Sequence, residues 1–271
     1  MVRIKQEGVD LRRYLDVAVE IARSASLSIS SDSDKRIEVS LERDVKLQAD
    51  MRLNNIIVQQ LQGKSPFSIL SEEEGFTKGK ADSGQYTWIV DPLDGSLNFS
   101  RGIPLFCISI SLWKEMQPML GVIYDFNRDE MFTGLVEEGA WLNGMSIQVG
   151  KAVSENEAVL CTGFPVSTNF AESALLDFVK DIRSYRKVRL LGSAALSLAY
   201  VASNRADVYQ ENDIAIWDVA AGIAIVKAAG GAVYFRPGAI NNRLIVRAAN
   251  GTLLSKIVDV GNERYVERGK E

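Results

Sequence analysis

Between Trp88 and Asn98 the chain reads Trp-Ile-Val-Asp-Pro-Leu-Asp-Gly-Ser-Leu-Asn, an apolar run that leads into two carboxylates and a glycine. Trp88, Ile89 and Val90 are apolar and β-prone and run straight into Asp91, the pattern of a buried strand that delivers a carboxylate to the end of a sheet. Pro92 has no N–H to give a ladder, so strand pairing is predicted to stop there. Asp94 follows, and Gly95 lets the backbone turn sharply beneath it. Two carboxylates held together at a strand end repel unless a cation lies between them. Oxygen donors alone select a hard ion such as Mg²⁺, Mn²⁺ or Ca²⁺. The amides of Gly95, Ser96 and Leu97, opening a helix or turn, suit an anion. A divalent cation beside an anion pocket points to phosphate chemistry.

Composition narrows the chemistry further. The chain has no histidine, which removes the usual general base near neutral pH, any Ser-His-Asp device and every imidazole metal ligand. Cys107 and Cys161 stand far apart in apolar, strand-like text, so buried free thiols are expected rather than a zinc or dithiol site. Free thiols suit a reducing compartment. A net charge of −4, from 31 basic and 35 acidic residues, gives no electrostatic reason to bind nucleic acid or an anionic membrane. No stretch approaches the ~20 apolar residues of a membrane span, and the opening MVRIKQEGVDLRRYLD lacks a signal-peptide core. A cytoplasmic protein is expected, with a chain of 271 residues able to bury a substantial core.

Leu11, Leu15, Ala18, Ala22, Ala25 and Ile29 recur at helical spacing after a candidate Asp10 cap, and predict a first amphipathic helix. Ser30 to Lys35 is a polar break, read as a mobile loop that closes over substrate or is merely exposed. A second helix is predicted from about Asp44 to Gln62, ended by Gly63. Strands are predicted at Ser68–Leu70 and Trp88–Val90, and the alternation of Phe106, Ile108, Ile110 and Leu112 with Cys107, Ser109 and Ser111 marks another. Pro118–Tyr124 and Glu130–Leu135 continue as a meander, and Asn143-Gly144 marks a hairpin turn. After Lys151 come strand Val159–Thr162, helix Glu172–Lys180, strand Val188–Leu191, helix Ser193–Ala202, strand Ala206–Tyr209, helix Trp217–Ala229 and two further short strands. We expect a layered α/β structure built from an α+β half over 1–150 and an α/β half over 151–271 that packs as one body and completes the active site.

Two more acidic groups join Asp91 and Asp94. Glu72-Glu73-Glu74 follows the strand ending in Leu70-Ser71, and Asp218 lies near the start of the helix in Trp217-Asp218-Val219-Ala220-Ala221-Gly222. Taken singly, these are a solvated acidic turn and a helix N-terminal aspartate. Taken with the central segment they predict an acidic metal site.

These three motifs, with Asp44-Val45-Lys46-Leu47-Gln48-Ala49-Asp50, Gly163-Phe164-Pro165 and Gly192-Ser193-Ala194-Ala195-Leu196 in the same order, resemble the signatures of the inositol monophosphatase family over nearly the whole chain. They are most similar to its archaeal-type members that also hydrolyse fructose 1,6-bisphosphate. The resemblance implies the αβαβα layered sandwich of sugar phosphatases, a homodimer, and two or three Mg²⁺ ions per site, with Mn²⁺ as a substitute. It implies that Glu72, Asp91 and the carbonyl of Leu93 hold a first ion, that Asp91, Asp94 and Asp218 hold a second, and that Glu72 and water hold a weaker third. Asp50 stands behind them and counts, with Glu72 and Ser96, among the implied catalytic residues. Gly95 and Ser96 bind phosphate through their amides, and Gly192, Ser193, Ala194 and Glu211 meet the sugar or inositol, with Asp94 also counted at the substrate. Two positions depart from the family pattern: Ser96 and Leu47 both stand where threonine is usual.

The implied activity is hydrolysis of inositol 1-phosphate, fructose 1,6-bisphosphate or both, by direct in-line attack of a metal-activated water that Glu72 and the Ser96 hydroxyl orient. No phosphoenzyme is expected, nor any nucleic-acid or membrane partner. The rival readings are a nucleotide phosphatase of the same family, acting on 3′-phosphoadenosine 5′-phosphate or NADP, and a regulatory RNA- or protein-binding member. Arg186, Lys187, Arg189 and Arg205 are candidates for meeting a second phosphate, or are a surface charge run.

Overall fold

Asp10 caps the first helix as expected, its side chain accepting from the Arg13 amide at 3.1 Å. Helix α1 (Leu11–Ser26) turns Leu15, Ala18, Ile21, Ala22 and Ala25 inward. The computed structural model describes residues 9–29, 37–40, 45–80, 85–165, 168–238 and 240–258, so the polar segment Ser30–Lys35 lies outside the described residues. Strands β1 (Ile37–Ser40) and β2 (Val45–Leu47) pair antiparallel, and α2 (Gln48–Lys64) follows at once. That pairing takes up residues 45–47, so α2 starts later than the periodicity predicts. Nor does Gly63 end it. The helix runs to Lys64 and stops because Ser65 precedes Pro66, whose ring forces the preceding residue out of the helical region; Ser65 has φ −142° and ψ 144°.

An eight-stranded sheet follows, made of β3 (Ser68–Ser71), β4 (Gly75–Thr77), β5 (Tyr86–Asp94), β6 (Cys107–Lys114), β7 (Gln117–Asp125), β8 (Glu130–Leu135), β9 (Gly139–Leu142) and β10 (Met145–Ile147), in the order β10-β9-β8-β7-β6-β5-β3-β4. The short helix α3 (Ser96–Arg101) links β5 to β6, and the Asn143-Gly144 turn joins β9 to β10 as predicted. A second sheet, order β12-β11-β13-β15-β14, is built from β11 (Val159–Thr162), β12 (Lys187–Leu190), β13 (Val208–Ala215), β14 (Ala232–Pro237) and β15 (Arg243–Ala249). Its helices are α4 (Glu172–Ile182), α5 (Ala194–Ala202) and α6 (Ile216–Ala228), with residues 251–258 also helical.

Alternating side chains sort these elements into five layers. On one face of the large sheet, Trp88, Val90, Ile108, Ile110, Leu112, Leu120 and Val122 pack against α1 and α2. On the other face, Ile89, Cys107, Trp113, Ile123 and Phe132 share a core with α5 and α6 and with Cys161, Tyr209, Val246 and Ala248 of the second sheet. Beyond that sheet, Leu160, Val208 and Tyr185 pack with Leu253, Leu254 and Ile257. The order is therefore helix, sheet, helix, sheet, helix, the αβαβα sandwich. Ser109 and Ser111, the polar half of the β6 alternation, face α6 rather than water: the Ser111 hydroxyl lies 2.6 Å from the Leu120 carbonyl and 3.3 Å from that of Ala220.

β5 departs from expectation at Pro92. Pairing with β6 does not stop but skips, Asp91 facing Ser109 and Asp94 facing Cys107. Three steps on β5 oppose two on β6, which is a bulge, and the residue without an N–H sits where no ladder bond is required. The consequence is one of parity. In a regular strand Asp91 and Asp94 would face opposite sides, whereas the extra residue brings both to the same cavity. β13 repeats the device: Glu211 faces Val246 and Ile214 faces Leu244, with Asp213 at φ 52° in between. This strand begins later than predicted, at Val208, and runs on through the bulge to Ala215, directly before α6.

Candidate active site

The bulged end of β5, the start of α3, the end of β3, the N-termini of α5 and α6 and the bulge of β13 open on one cavity of about 540 Å³. Glu72, Asp91, Leu93, Asp94, Gly95, Ser96, Gly192, Ser193, Ala194, Glu211 and Asp218 all line it. Of the residues predicted for the site, only Asp50 stands behind the wall.

Within the cavity, oxygens of Glu72, Asp91 and Asp218 approach one another within 4.8 Å. Of the three consecutive glutamates, Glu72 is the one that joins this cluster. Glu74 is drawn away, accepting from Asn54 Nδ2 at 2.8 Å, and Asn54 in turn accepts from Ser71 at 2.5 Å. Asp94 lies alongside with one oxygen already engaged. Its Oδ2 accepts from the Ser193 hydroxyl and, at 2.9 Å, from the Ala195 amide, with the Cys107 thiol at 3.7 Å. It thus sits on the N-terminus of α5, where a negative charge is favoured.

Burial and mutual repulsion dominate the electrostatics. Asp91 is 1 % exposed, and desolvation, then Glu72, Asp94, Asp218 and Asp50, push its carboxyl well above the ordinary range. Asp218 is raised well above that range too, by burial first and then by Glu72, Asp94 and Glu211, against the single opposing charge of Arg243. Burial takes Asp94 from 3.8 to about 6, although Ser193, Ala195 and Ala194 pull it back. Glu211 is carried to about 8, again by burial first. A cluster of carboxylate oxygens that Arg243 alone opposes with a positive charge among the residues lining the cavity is the donor chemistry of a hard divalent cation, and the residues fit one.

A sign follows for stability. Carboxyls whose folded values are raised favour the fold in full below their unfolded values near 4, and that favour is lost as pH rises through the folded values, about 6 for Asp94 and about 8 for Glu211. A cation held among these carboxylates would restore it. Mg²⁺ is therefore expected to raise the melting temperature of chelator-treated protein more at pH 8 than at pH 5; an equal shift at both would contradict this electrostatic picture.

Around the carboxylates the backbone is tightly specified. Gly95 has φ 89°, and a Cβ there would stand 2.7 Å from the Leu105 carbonyl oxygen. Asn98, on α3, donates from Nδ2 to the carbonyls of Leu105 and Leu191, both at 2.8 Å, fastening the Gly192 segment to the same corner. Gly95→Ala is expected to cost about 1–3 kcal/mol of backbone strain, besides the collision, and to abolish turnover. Thermal unfolding and a phosphate-release assay check it.

The Ser96 hydroxyl lies 2.8 Å from Asp50 Oδ1 and 2.8 Å from the Leu93 carbonyl, with one proton to give. Asp50 Oδ2 accepts from the Leu47 amide at 2.6 Å, half of a capping interaction at the start of α2. Leu47, fully buried, has no side-chain oxygen to return to that helix where threonine would.

Sequence reading missed Arg243, which lines the cavity and donates to the Asp213 carbonyl at 2.7 Å. It comes from a distant strand, and no local motif marks it. The basic residues singled out instead lie elsewhere: Arg186, Lys187, Arg189 and Arg205 do not line the cavity, and Arg205 forms a bidentate pair with Glu130, both contacts 2.6 Å. The two cysteines are free and buried as expected, and burial pushes the Cys161 thiol up to about 12.

Most of the chain is similar to known proteins. The sequence pattern that defines the Inositol monophosphatase family matches residues 10–264. An inositol-1-monophosphatase of Mesorhizobium japonicum is 37% identical over 225 residues, 81% of this chain and 84% of that protein. A protein named Nus factor SuhB, of Pasteurella multocida, is 34% identical over 232 residues, again 81% and 84%. The crystal structure of the extragenic suppressor protein suhB from Bartonella henselae superimposes with a TM-score of 0.80 at 32% identity, covering 90% of this chain and 96% of that one.

Proposed function

We propose that this chain, which belongs to the inositol monophosphatase family, is a divalent-cation-dependent phosphomonoesterase that cleaves inositol 1-phosphate, fructose 1,6-bisphosphate or both. The observation that carries this reading is the convergence of Glu72, Asp91 and Asp218 within 4.8 Å, beside the Gly95-Ser96 turn.

Mg²⁺, or Mn²⁺ in its place, would be held as two or three ions by Glu72, Asp91, Asp94, Asp218 and the Leu93 carbonyl, where it would screen their repulsion, polarise the phosphate and lower the pKa of water. The remaining work falls to the chain. The Gly95 and Ser96 amides hold phosphate oxygens. Ser96 Oγ, giving its proton toward Asp50, keeps lone pairs free to accept from the water that attacks phosphorus in line, and Glu72 helps to orient that water. Gly192, Ser193, Ala194 and Glu211 face the alcohol half of the ester. No side chain is required as a nucleophile.

A homodimer in the cytoplasm belongs to the same reading. Leu176 and Val179, three residues apart on α4, are both more than half exposed, an apolar face that a second copy would cover. Light scattering tests the dimer. Among the described residues no helix is long and apolar enough to cross a membrane.

The experiment that tests the activity is a phosphate-release panel with Mg²⁺ over inositol 1-phosphate, fructose 1,6-bisphosphate, 3′-phosphoadenosine 5′-phosphate and NADP. Turnover concentrated on the first two supports the reading, and turnover confined to the nucleotides overturns its substrate class. A regulatory role is the second reading, favoured because relatives about as similar as the phosphatases are named Nus factor SuhB. Absence of turnover on every ester, in folded protein, would favour it.

A further inference from the structure

Below the alcohol end of the cavity, one polar atom is left over. Tyr209 is wholly buried, and its hydroxyl is the one buried side-chain oxygen or nitrogen among the described residues without a hydrogen-bond partner. Such a group costs stability, and a fold keeps it only where something else is gained. The ring is anchored in the central core between the sheets, in register with Cys161. The tip is set among acids, its phenol made less acidic by burial and then by Glu211, Asp218 and Asp94, so it keeps its proton and remains a donor.

Glu211 lies two residues further along β13, on the same face of the strand and immediately before the bulge. A second feature shows how closely its carboxyl group is seated. A Cβ on residue 163 would stand 2.7 Å from Glu211 Oε1 and 3.3 Å from Oε2, so the group lies against the bare backbone of Gly163. Arg247 holds the main chain there, donating to the Glu211 carbonyl at 3.0 Å. The phenol is near enough to make Glu211 more acidic, yet stands outside normal hydrogen-bond geometry.

We propose that Tyr209 is a positioning residue for Glu211: its O–H closes onto the carboxyl group when substrate enters, fixing that group over Gly163 with one oxygen turned to a hydroxyl of the substrate. The inference rests on the phosphatase reading and on a polyhydroxyl alcohol half. Gly163 then has a role of its own, since any larger residue would displace the carboxyl group that Tyr209 aims. Tyr209 touches no reacting atom, so its loss falls on recognition of the alcohol and leaves the phosphoryl chemistry intact.

Tyr209→Phe removes the hydroxyl and keeps the ring. With saturating Mg²⁺, KM for inositol 1-phosphate is expected to rise about tenfold, the worth of one buried hydrogen bond, with kcat little changed. With p-nitrophenyl phosphate, which offers no ring hydroxyl, KM is expected to stay the same. In a Glu211→Ala background the tyrosine substitution should add nothing further. The melting temperature should hold or rise, because an unpaired buried hydroxyl has gone. Equal changes on both esters would reduce Tyr209 to packing, and no change on either would remove it from recognition; both overturn the inference while leaving the phosphatase reading in place. A wild-type protein inactive on both esters overturns the phosphatase reading and this inference with it.

Discussion

Asp91→Asn is expected to fold and to release phosphate at least about 10²-fold more slowly than the wild type. Groups that merely support a metal ligand already cost about 10–100-fold when changed, and Asp91 is proposed to be a ligand itself. Volume and shape are conserved, and the amide oxygen can still accept from the Leu93 N–H, now 3.0 Å from Asp91 Oδ1. What disappears is one negative charge facing Glu72, Asp94 and Asp218. The same change has an opposite effect on the metal-free fold. Because the Asp91 carboxyl is raised in the folded state, its ionisation opposes folding as pH rises, and asparagine removes that opposition. Melting at pH 8 with chelator should therefore be higher for the variant than for the wild type, while the upward shift on adding Mg²⁺ should shrink. Wild-type turnover in the purified variant would show that these carboxylates do not carry the reaction.

Ser96→Ala should lower kcat by about 10²–10⁴, the range for loss of acid–base assistance, with a much smaller change in KM. The amide of residue 96, proposed to grip phosphate in ground and transition states alike, survives the substitution. The hydroxyl, 2.8 Å from Asp50 and 2.8 Å from the Leu93 carbonyl, does not. Steady-state kinetics on inositol 1-phosphate and fructose 1,6-bisphosphate separate the two roles. A raised KM with unchanged kcat would leave Ser96 as part of the phosphate pocket and nothing more.

Much of this site is legible in one sequence because its residues sit where local patterns end. An apolar run stopping at Ser71-Glu72 announces a sheet end, one running into Asp91 announces a carboxylate on a buried strand, and Asp218 announces a helix start, so the cluster follows from three short segments. The two bulges were hidden. A strand with an extra residue keeps its apolar character, and only the partner strand shows that Asp94 has been turned to the side of Asp91. For the same reason the seat of Asp94 on the N-terminus of α5 could not be read, since it joins positions 94 and 195. Arg243 and Tyr209 belong to this class as well: in strand text nothing marks an arginine that lines the cavity or a tyrosine buried beneath Glu211. The helix end at Ser65, by contrast, is written in Pro66 rather than in Gly63, a case of glycine permissiveness outweighed by proline geometry.

On the proposed reading the carboxylates become catalytic only around a divalent cation. The deciding measurement is phosphate release from inositol 1-phosphate by wild-type protein, first stripped with chelator and then titrated with Mg²⁺. The expected result is no turnover when stripped, and activity restored in proportion to the ion until the site saturates. Turnover that persists after exhaustive chelation would contradict it.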